Sequence, residues 1–222
     1  MDKFSVLCWN IRNPSKERAV KQIEWLRGRS EDVFVLTETK ASTGCNLIRQ
    51  HFQAQGLMGG QQYYVYVPPE SSEFGVMVIS KHPITQSDFP ATYLRFRVAA
   101  VNVQFAGTQL EVVGTYVPSR NASPEKIRKK RQFLESLNQA LGTRSASNRI
   151  FCGDLNVLEP DHEPHYGTFQ LWEYGFYQDL SRHNLIDAFR QLNPKAREYS
   201  WVGKTGDGYR YDHCFVSRRL AP

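Results

Sequence analysis

The sequence holds only four cysteines in 222 residues, Cys8, Cys45, Cys152 and Cys214. No two of them form a C-x-x-C pair, which leaves out a disulfide framework and a cysteine-based zinc site. Three sit in apolar, strand-like runs, where a reduced and buried thiol is the ordinary state, and a cytoplasmic setting is expected. The opening Met1-Asp2-Lys3-Phe4 has no charged n-region, apolar h-region or small-residue cleavage site. Secretion is not expected, and the Asn121-Ala122-Ser123 glycosylation match is read as chance. No membrane segment is evident. Linkers rich in Gly, Ser or Pro, composition breaks, repeats and low-complexity tracts are also missing, so residues 1–222 are expected to form a single domain.

What is present is a basic chain with 41% hydrophobic residues, enough for one sizeable core. Its formal net charge of +6 favours polyanionic partners, nucleic acid first and an anionic membrane surface second. Apolar runs at Phe4–Ile11, Asp32–Glu38, Gln61–Val67 and Gly75–Ser80 read as strands. Arg97–Phe105 and Gln109–Val117 read as a hairpin around Ala106-Gly107-Thr108. Helices are expected over Ser15–Arg29, with Val20, Ile23, Trp25 and Leu26 on the apolar side, and over Ala41–Gln55. Another starts at Ser123-Pro124, with Ile127, Leu134, Leu137 and Leu141 inward and Lys126, Arg128, Lys129, Lys130 and Arg131 outward. Phe169–Leu180 and Leu185–Leu192 are read as helices, Tyr199-Ser200-Trp201 as the start of a strand, and Tyr209–Ser217 as the last strand.

The stretch that organises the chain is Ile150–Val157, I-F-C-G-D-L-N-V. In an extended segment successive side chains alternate, which puts Asp154 and Asn156 on one surface and turns Leu155 inward. A carboxylate able to take a proton from water beside an amide able to hold that water suits hydrolysis, although Gly-Asp and Asn also promote a plain turn. Asn10, Glu38, Tyr116 and Asp212 likewise fall at or near strand ends. Such an oxygen-rich set, without a Cys or His cluster, suits phosphodiester hydrolysis with Mg²⁺, a hard ion; the same ligands accept Mn²⁺. Glu38 is the best single metal ligand. The two histidines of Leu158–Tyr166 fit no zinc pattern.

Several blocks carry a resemblance: W-N-I at Trp9–Ile11, T-E-T-K at Thr37–Lys40, T-Y-V-P at Thr115–Pro118 and G-D-L-N at Gly153–Asn156. They continue with N-L-I-D-A-F-R at Asn184–Arg190, and with Y-S-W followed by R-Y-D at Arg210–Asp212. In letters, order and spacing the sequence resembles the endonuclease/exonuclease/phosphatase superfamily, in its exonuclease III-like apurinic/apyrimidinic endonuclease branch. The resemblance implies a deoxyribonuclease I-like, four-layer α/β sandwich: two mixed β-sheets face to face, helices outside, and a site at one rim. It implies Glu38 binding the metal with Asn10 nearby, Asp154 activating or orienting water, Asn156 holding water or phosphate, and Tyr116 contacting phosphate. Asp212 would orient a histidine, and Trp201, Tyr209 and Tyr211 would line a pocket for an extruded abasic sugar.

Two departures stand out. Arg12 occupies a position where the family usually has Asn or Asp, bringing a positive charge near the metal or phosphate. The closing S-D-H-x-P strand, with its phosphate-facing His, is not found. Asp212-His213 matches the preceding strand instead, and alternation turns His213 away if Asp212 faces the site. The expectation is a Mg²⁺-dependent phosphodiesterase acting on nucleic acid, DNA above RNA, with no obligate protein partner and with turnover impaired in this form. A catalytically silent nucleic-acid binder of the same fold and a phosphatase for another small phosphate ester are the alternatives.

Overall fold

The computed structural model describes residues 3–56, 61–70, 72–143 and 146–221; the expectation about the chain's end at Pro222 lies outside these described residues. The chain divides into two compact units, one drawn from residues up to Asp88 with Phe96–Tyr116, the other from Phe89–Arg95 and the residues from Val117 onward.

In the first unit, strand β1 (Val6–Asn10), helix α1 (Lys16–Arg27) and strand β2 (Val33–Thr39) form a strand–helix–strand unit. β1 and β2 are parallel, from Val6↔Val33 to Asn10↔Thr37. Helix α2 (Thr43–Gly56), β3 (Tyr64–Tyr66) and β4 (Gly75–Ser80) follow, and the mixed sheet has the order β1-β2-β4-β3. Strands β5 (Ile84–Gln86), β6 (Val98–Phe105) and β7 (Thr108–Tyr116) pair antiparallel in sequence. The β6–β7 turn has two residues, Ala106 and Gly107, at φ 46° and 77°. Both positive angles match the right-handed strand twist, as two-residue hairpins require.

β2 and β4 are apolar on both sides because both sides are covered. Phe34, Leu36, Met77 and Ile79 pack with Ile23, Leu26, Ile48 and Phe52 of the two helices. The intervening Val35 and Val76 meet β7, where a Cβ added at Gly114 would lie 2.6 Å from Val35 Cγ1 and 3.3 Å from Val76 Cγ1. Close approach of two sheets therefore depends on a residue without a side chain. Ser15 caps α1 through the Arg18 N–H, as expected. The inward stripe differs: Ala19, Gln22, Ile23 and Leu26 are buried, whereas Val20 and Trp25 are exposed. The i, i+3, i+4, i+7 spacing selects the first set, and Gln22 is accommodated by donating to the Ile11 carbonyl.

The second unit contains α3 (Pro124–Thr143), β8 (Arg149–Asp154), α4 (Leu171–Arg182), β9 (Leu185–Asp187) and α5 (Ala188–Leu192). It ends with β10 (Trp201–Val202), β11 (Gly208–Tyr209) and β12 (Asp212–Ser217). β12 runs antiparallel to both β8 and β9. The helix expected over Leu185–Leu192 is a short strand followed by a short helix, because Asp187 accepts from the Arg190 N–H and acts as an N-cap. The expected last strand is also two pieces, with β11 in a hairpin with β10 and β12 beginning at Asp212. Lys130 points inward with Phe133, Leu134, Leu137 and Leu141, where the sequence reading had turned it to solvent.

Candidate active site

Glu38 is placed by a break in regular pairing. β2 pairs β4 through Leu36↔Met77 and then shifts register before Thr39↔Gly75. Such a bulge bends a strand and re-aims a side chain. Glu38 sits there at φ 55°, a left-handed conformation that costs a residue with a Cβ about 1–2 kcal/mol. Surrounding bonds hold it: the Asn13 N–H donates to the Glu38 carbonyl at 2.9 Å. The Cys45 thiol donates to Asn13 Oδ1 at 3.7 Å and accepts from the Lys40 N–H at 3.3 Å, tying together the segments that follow β1 and β2. Asn10 ends β1 opposite Thr37, beside the end of β2 that carries Glu38, and its Oδ1 accepts from the Arg12 N–H at 3.0 Å. Arg12 itself is exposed.

Tyr116 closes β7 with its phenol donating to Glu38 Oε1 at 3.1 Å. Its ring lies 4.8 Å from the Arg97 guanidinium and edge-on to Phe74. Arg97, itself buried, donates to the Tyr116 carbonyl at 3.3 Å and to Glu73 at 2.9 Å. Position and orientation of the phenol are therefore fixed from both sides. Arg97 and Phe74 were not singled out in the sequence, where nothing in R-F-R or E-F-G marks a clamp.

In the second unit the structure brings Asp154, Asn156 and Asp212 together. β8 ends at Asp154, and Asp212 is its cross-strand partner in the antiparallel ladder, which puts both carboxylates on one face. Asn156 leaves the strand at φ 48°. Its N–H donates to Asp154 Oδ1 at 3.1 Å and its side-chain amide to the Val117 carbonyl at 2.9 Å. The two residues expected to act as a hydrolytic pair thus form the turn, with Leu155 fully buried beneath it. Burial holds the Asp212 carboxyl above the ordinary carboxylate range, against the Ser200 hydrogen bond and the His213 charge. His213 turns inward, its Nε2 3.0 Å from the Val157 carbonyl, as strand alternation requires.

Behind Asn156 stands a buried charge network. Lys130, 1% exposed, donates to the Asn156 carbonyl and to Glu173 Oε1, both at 2.5 Å. Arg120 binds the other oxygen of Glu173 and the Thr168 carbonyl. Burial pushes the Lys130 ammonium down, with Glu173 opposing. Burial alone would raise Glu173, but the Arg120 hydrogen bond and the Lys130 charge outweigh it and hold the carboxyl low. A signal for Lys130 existed: it recurs at helical spacing with Leu134, Leu137 and Leu141.

Tyr209 and Tyr211 stack at 5.1 Å and 16°, while Trp201 lies 5.3 Å from Tyr209 and 6.1 Å from Tyr211. The intervening Arg210 is buried, donating to Glu159 at 2.8 Å and Asp187 at 2.7 Å. Arg190 also binds Glu159 through both carboxylate oxygens, each at 2.6 Å. Among the described residues no cluster of three or more His, Cys, Asp or Glu forms a ready-made metal cage.

In the first unit an acid stands at a strand end with a phenol on it, and in the second an acid at a strand end accepts from the amide N–H that follows it. The chain belongs to the Endonuclease/Exonuclease/phosphatase family, which it matches over residues 7–222. It is 28% identical to Exodeoxyribonuclease III of Haemophilus influenzae over 189 residues, 72% of this chain and 70% of that protein. The solved AP endonuclease from Archaeoglobus fulgidus is similar with a TM-score of 0.75 and 22% identity, covering 97% of this chain and 87% of that one. The 3′-5′ exonuclease NExo from Neisseria meningitidis gives 0.73 and 23%, covering 96% and 87%. The α/β fold expected from the sequence is the fold these likenesses show.

Proposed function

We propose that this protein is a divalent-metal-dependent phosphodiesterase acting on DNA, in the manner of exonuclease III, by incision at abasic sites or trimming of 3′ ends. The observation that carries the reading is Glu38 at the β2 bulge, where the register shift re-aims its carboxylate and the Tyr116 phenol donates to it at 3.1 Å. The exonuclease and AP endonuclease named among the similar proteins support DNA as the substrate. So does the exposed basic run Lys126, Arg128 and Arg131 on α3.

The donor set fits a hard divalent cation such as Mg²⁺, with Mn²⁺ accepted by the same ligands. Glu38 offers a carboxylate and Asn10 an amide oxygen, which suits an ion that keeps several waters and takes one or two protein oxygens. When bound, the ion polarises the phosphoryl group and offsets charge on the leaving oxygen. Tyr116 gives its one O–H to Glu38 and so orients that carboxylate; contact with phosphate requires the same O–H to leave Glu38. Asp154 accepts a proton from water, Asn156 holds that water or a phosphate oxygen, and Asp212, the cross-strand partner of Asp154, keeps its expected part of orienting a histidine. Lys130 and Glu173 keep the Asn156 turn in place.

The test is Mg²⁺-dependent cleavage of an abasic-site duplex and a 3′-recessed duplex, compared with Glu38→Ala and Asp154→Asn. Both substitutions are expected to reduce the rate by about 10²-fold or more. A folded wild-type chain that binds DNA yet cleaves neither substrate with Mg²⁺ or Mn²⁺ would overturn the proposal in favour of a silent binder.

A further inference from the structure

We propose that Cys152 and Cys214 are a peroxide-oxidisable pair, whose reversible disulfide slows cleavage by displacing Asp154 and Asp212. The pairing of the thiols follows from the fold alone; the effect on cleavage rests on the nuclease reading above. The two cysteines lie far apart in the sequence, but the β8–β12 ladder sets them directly opposite each other. Cys8 has Val35 as its ladder partner, and Cys45 lies on α2. Two hydrogen bonds fix the kind of ladder position the pair holds. The Leu155 N–H donates to the Tyr211 carbonyl at 2.8 Å, a hydrogen-bonded pair one step beyond Asp154↔Asp212. The Asp154 carbonyl accepts from the Val117 N–H at 2.9 Å and so points away from β12. Antiparallel ladders alternate bonded and non-bonded pairs, which makes Asp154↔Asp212 and Cys152↔Cys214 both non-bonded. In such pairs the Cα atoms stand about 4.5 Å apart with the side chains at their closest, inside the range of about 4.4–6.8 Å that a disulfide spans. No strand has to slip for the bridge to close.

His213 and Phe215, on either side of Cys214, both meet Tyr177 edge-on. Cys214 therefore turns to the opposite face, the face of Asp212 and Asp154. Both cysteines are thiols in the structure; Cys152 is fully buried and Cys214 half-buried, which divides their roles. Hydrogen peroxide reaches Cys214. The Cys214 sulfur loses its proton and attacks one peroxide oxygen, so that an S–O bond forms, the O–O bond breaks and the other oxygen leaves as water. The Cys152 sulfur then attacks the Cys214 sulfur: the S–S bond forms, the S–O bond breaks, and a second water carries off the Cys152 proton. Two thiols are oxidised, the peroxide is reduced to water, and a dithiol reductant reverses the bridge by exchange. A disulfide holds its Cβ atoms about 3.8 Å apart, closer than the roughly 4.5 Å of an open cross-strand pair. Closure therefore draws β8 and β12 together by a fraction of an ångström. The next non-bonded pair along the ladder is Asp154↔Asp212, and groups that must meet a reacting atom tolerate displacement poorly.

The experiment treats the full chain with hydrogen peroxide, alkylates the remaining thiols, digests without reductant and reads the peptides by mass spectrometry. Mg²⁺-dependent cleavage of the abasic-site duplex is measured in parallel. The expected result is a bridged Cys152–Cys214 peptide and about tenfold slower cleavage, both reversed by dithiothreitol. Cys214→Ala and, independently, Cys152→Ala should form no such peptide and should keep their untreated rates under peroxide. No bridged peptide, or a bridge joining a different pair, would overturn the proposal. A Cys152–Cys214 bridge with unchanged cleavage, or equal loss of rate in both alanine variants, would overturn control of the site and leave the nuclease reading standing. A reduced chain that cleaves neither duplex would overturn that reading and with it the control of cleavage, while the bridge itself stands or falls on the peptide.

Discussion

At the scale of single residues, the chemistry depends on where a few side chains are aimed, and Tyr116 isolates one such contact. Its ring is held by Arg97 and Phe74, whereas only its hydroxyl reaches Glu38. Tyr116→Phe keeps the packing and removes the donor. The expected outcome is a fall in kcat of about 10–10³-fold with an unchanged thermal midpoint, measured by steady-state cleavage and a circular-dichroism melt. A higher KM at constant kcat would instead assign the phenol to binding alone. The sequence pointed to Glu38, Asp154 and Asn156 because each closes an apolar run. The left-handed turn at Asn156 was half legible, since Asn tolerates that region. The one at Glu38 was not, because T-E-T contains no Gly or Asn to announce a bulge.

At the scale of elements, the strands were readable wherever both faces are covered, because Val33–Leu36 and Val76–Ile79 are then continuously apolar. Reading failed where a polar side chain is buried against a specific partner. Lys130 belongs geometrically to the inner stripe of α3, yet its charge placed it outside until Glu173 and the Asn156 carbonyl were seen to receive it. Lys130→Met leaves Glu173 with Arg120 as its remaining cation and removes the donor to the Asn156 carbonyl. It is expected to cost about 3–5 kcal/mol in urea unfolding and to lower cleavage beyond what the remaining folded fraction explains. Gly114→Ala probes packing without touching charge. A Cβ 2.6 Å from Val35 Cγ1 forces the facing sheets of the first unit to adjust, and a loss of about 1–3 kcal/mol is expected in the same assay. Stability equal to wild type would mean that Val35 rotates aside at no cost.

At the scale of the whole molecule, net charge was legible from composition, but the partners of each charge were not, and those partners decide the response to acid. Burial alone would raise Glu159, yet hydrogen bonds from Arg190 and Arg210 outweigh it and hold the carboxyl down at about 2. Asp187 is likewise depressed, the nearby His213 ring, its Nδ1 3.7 Å from Oδ2, and the hydrogen bond from Arg210 overcoming the desolvation. In the unfolded chain the two groups titrate near about 4.3 and 3.9. Above those values both states are ionised and the stabilisation is complete. As pH falls through about 4 toward 2, the unfolded chain takes up protons that the folded one refuses, so stability declines in this window. Urea midpoints are expected to hold steady from pH 7 to about 5 and then to drop. Glu159→Gln should start lower at pH 7, because Arg190 and Arg210 lose an ionic partner, and should then fall less steeply on acidification. A variant whose midpoint drops as steeply as the wild type would show that acid sensitivity originates in other carboxylates, and that the Glu159 network orients Arg210 without setting the pH response.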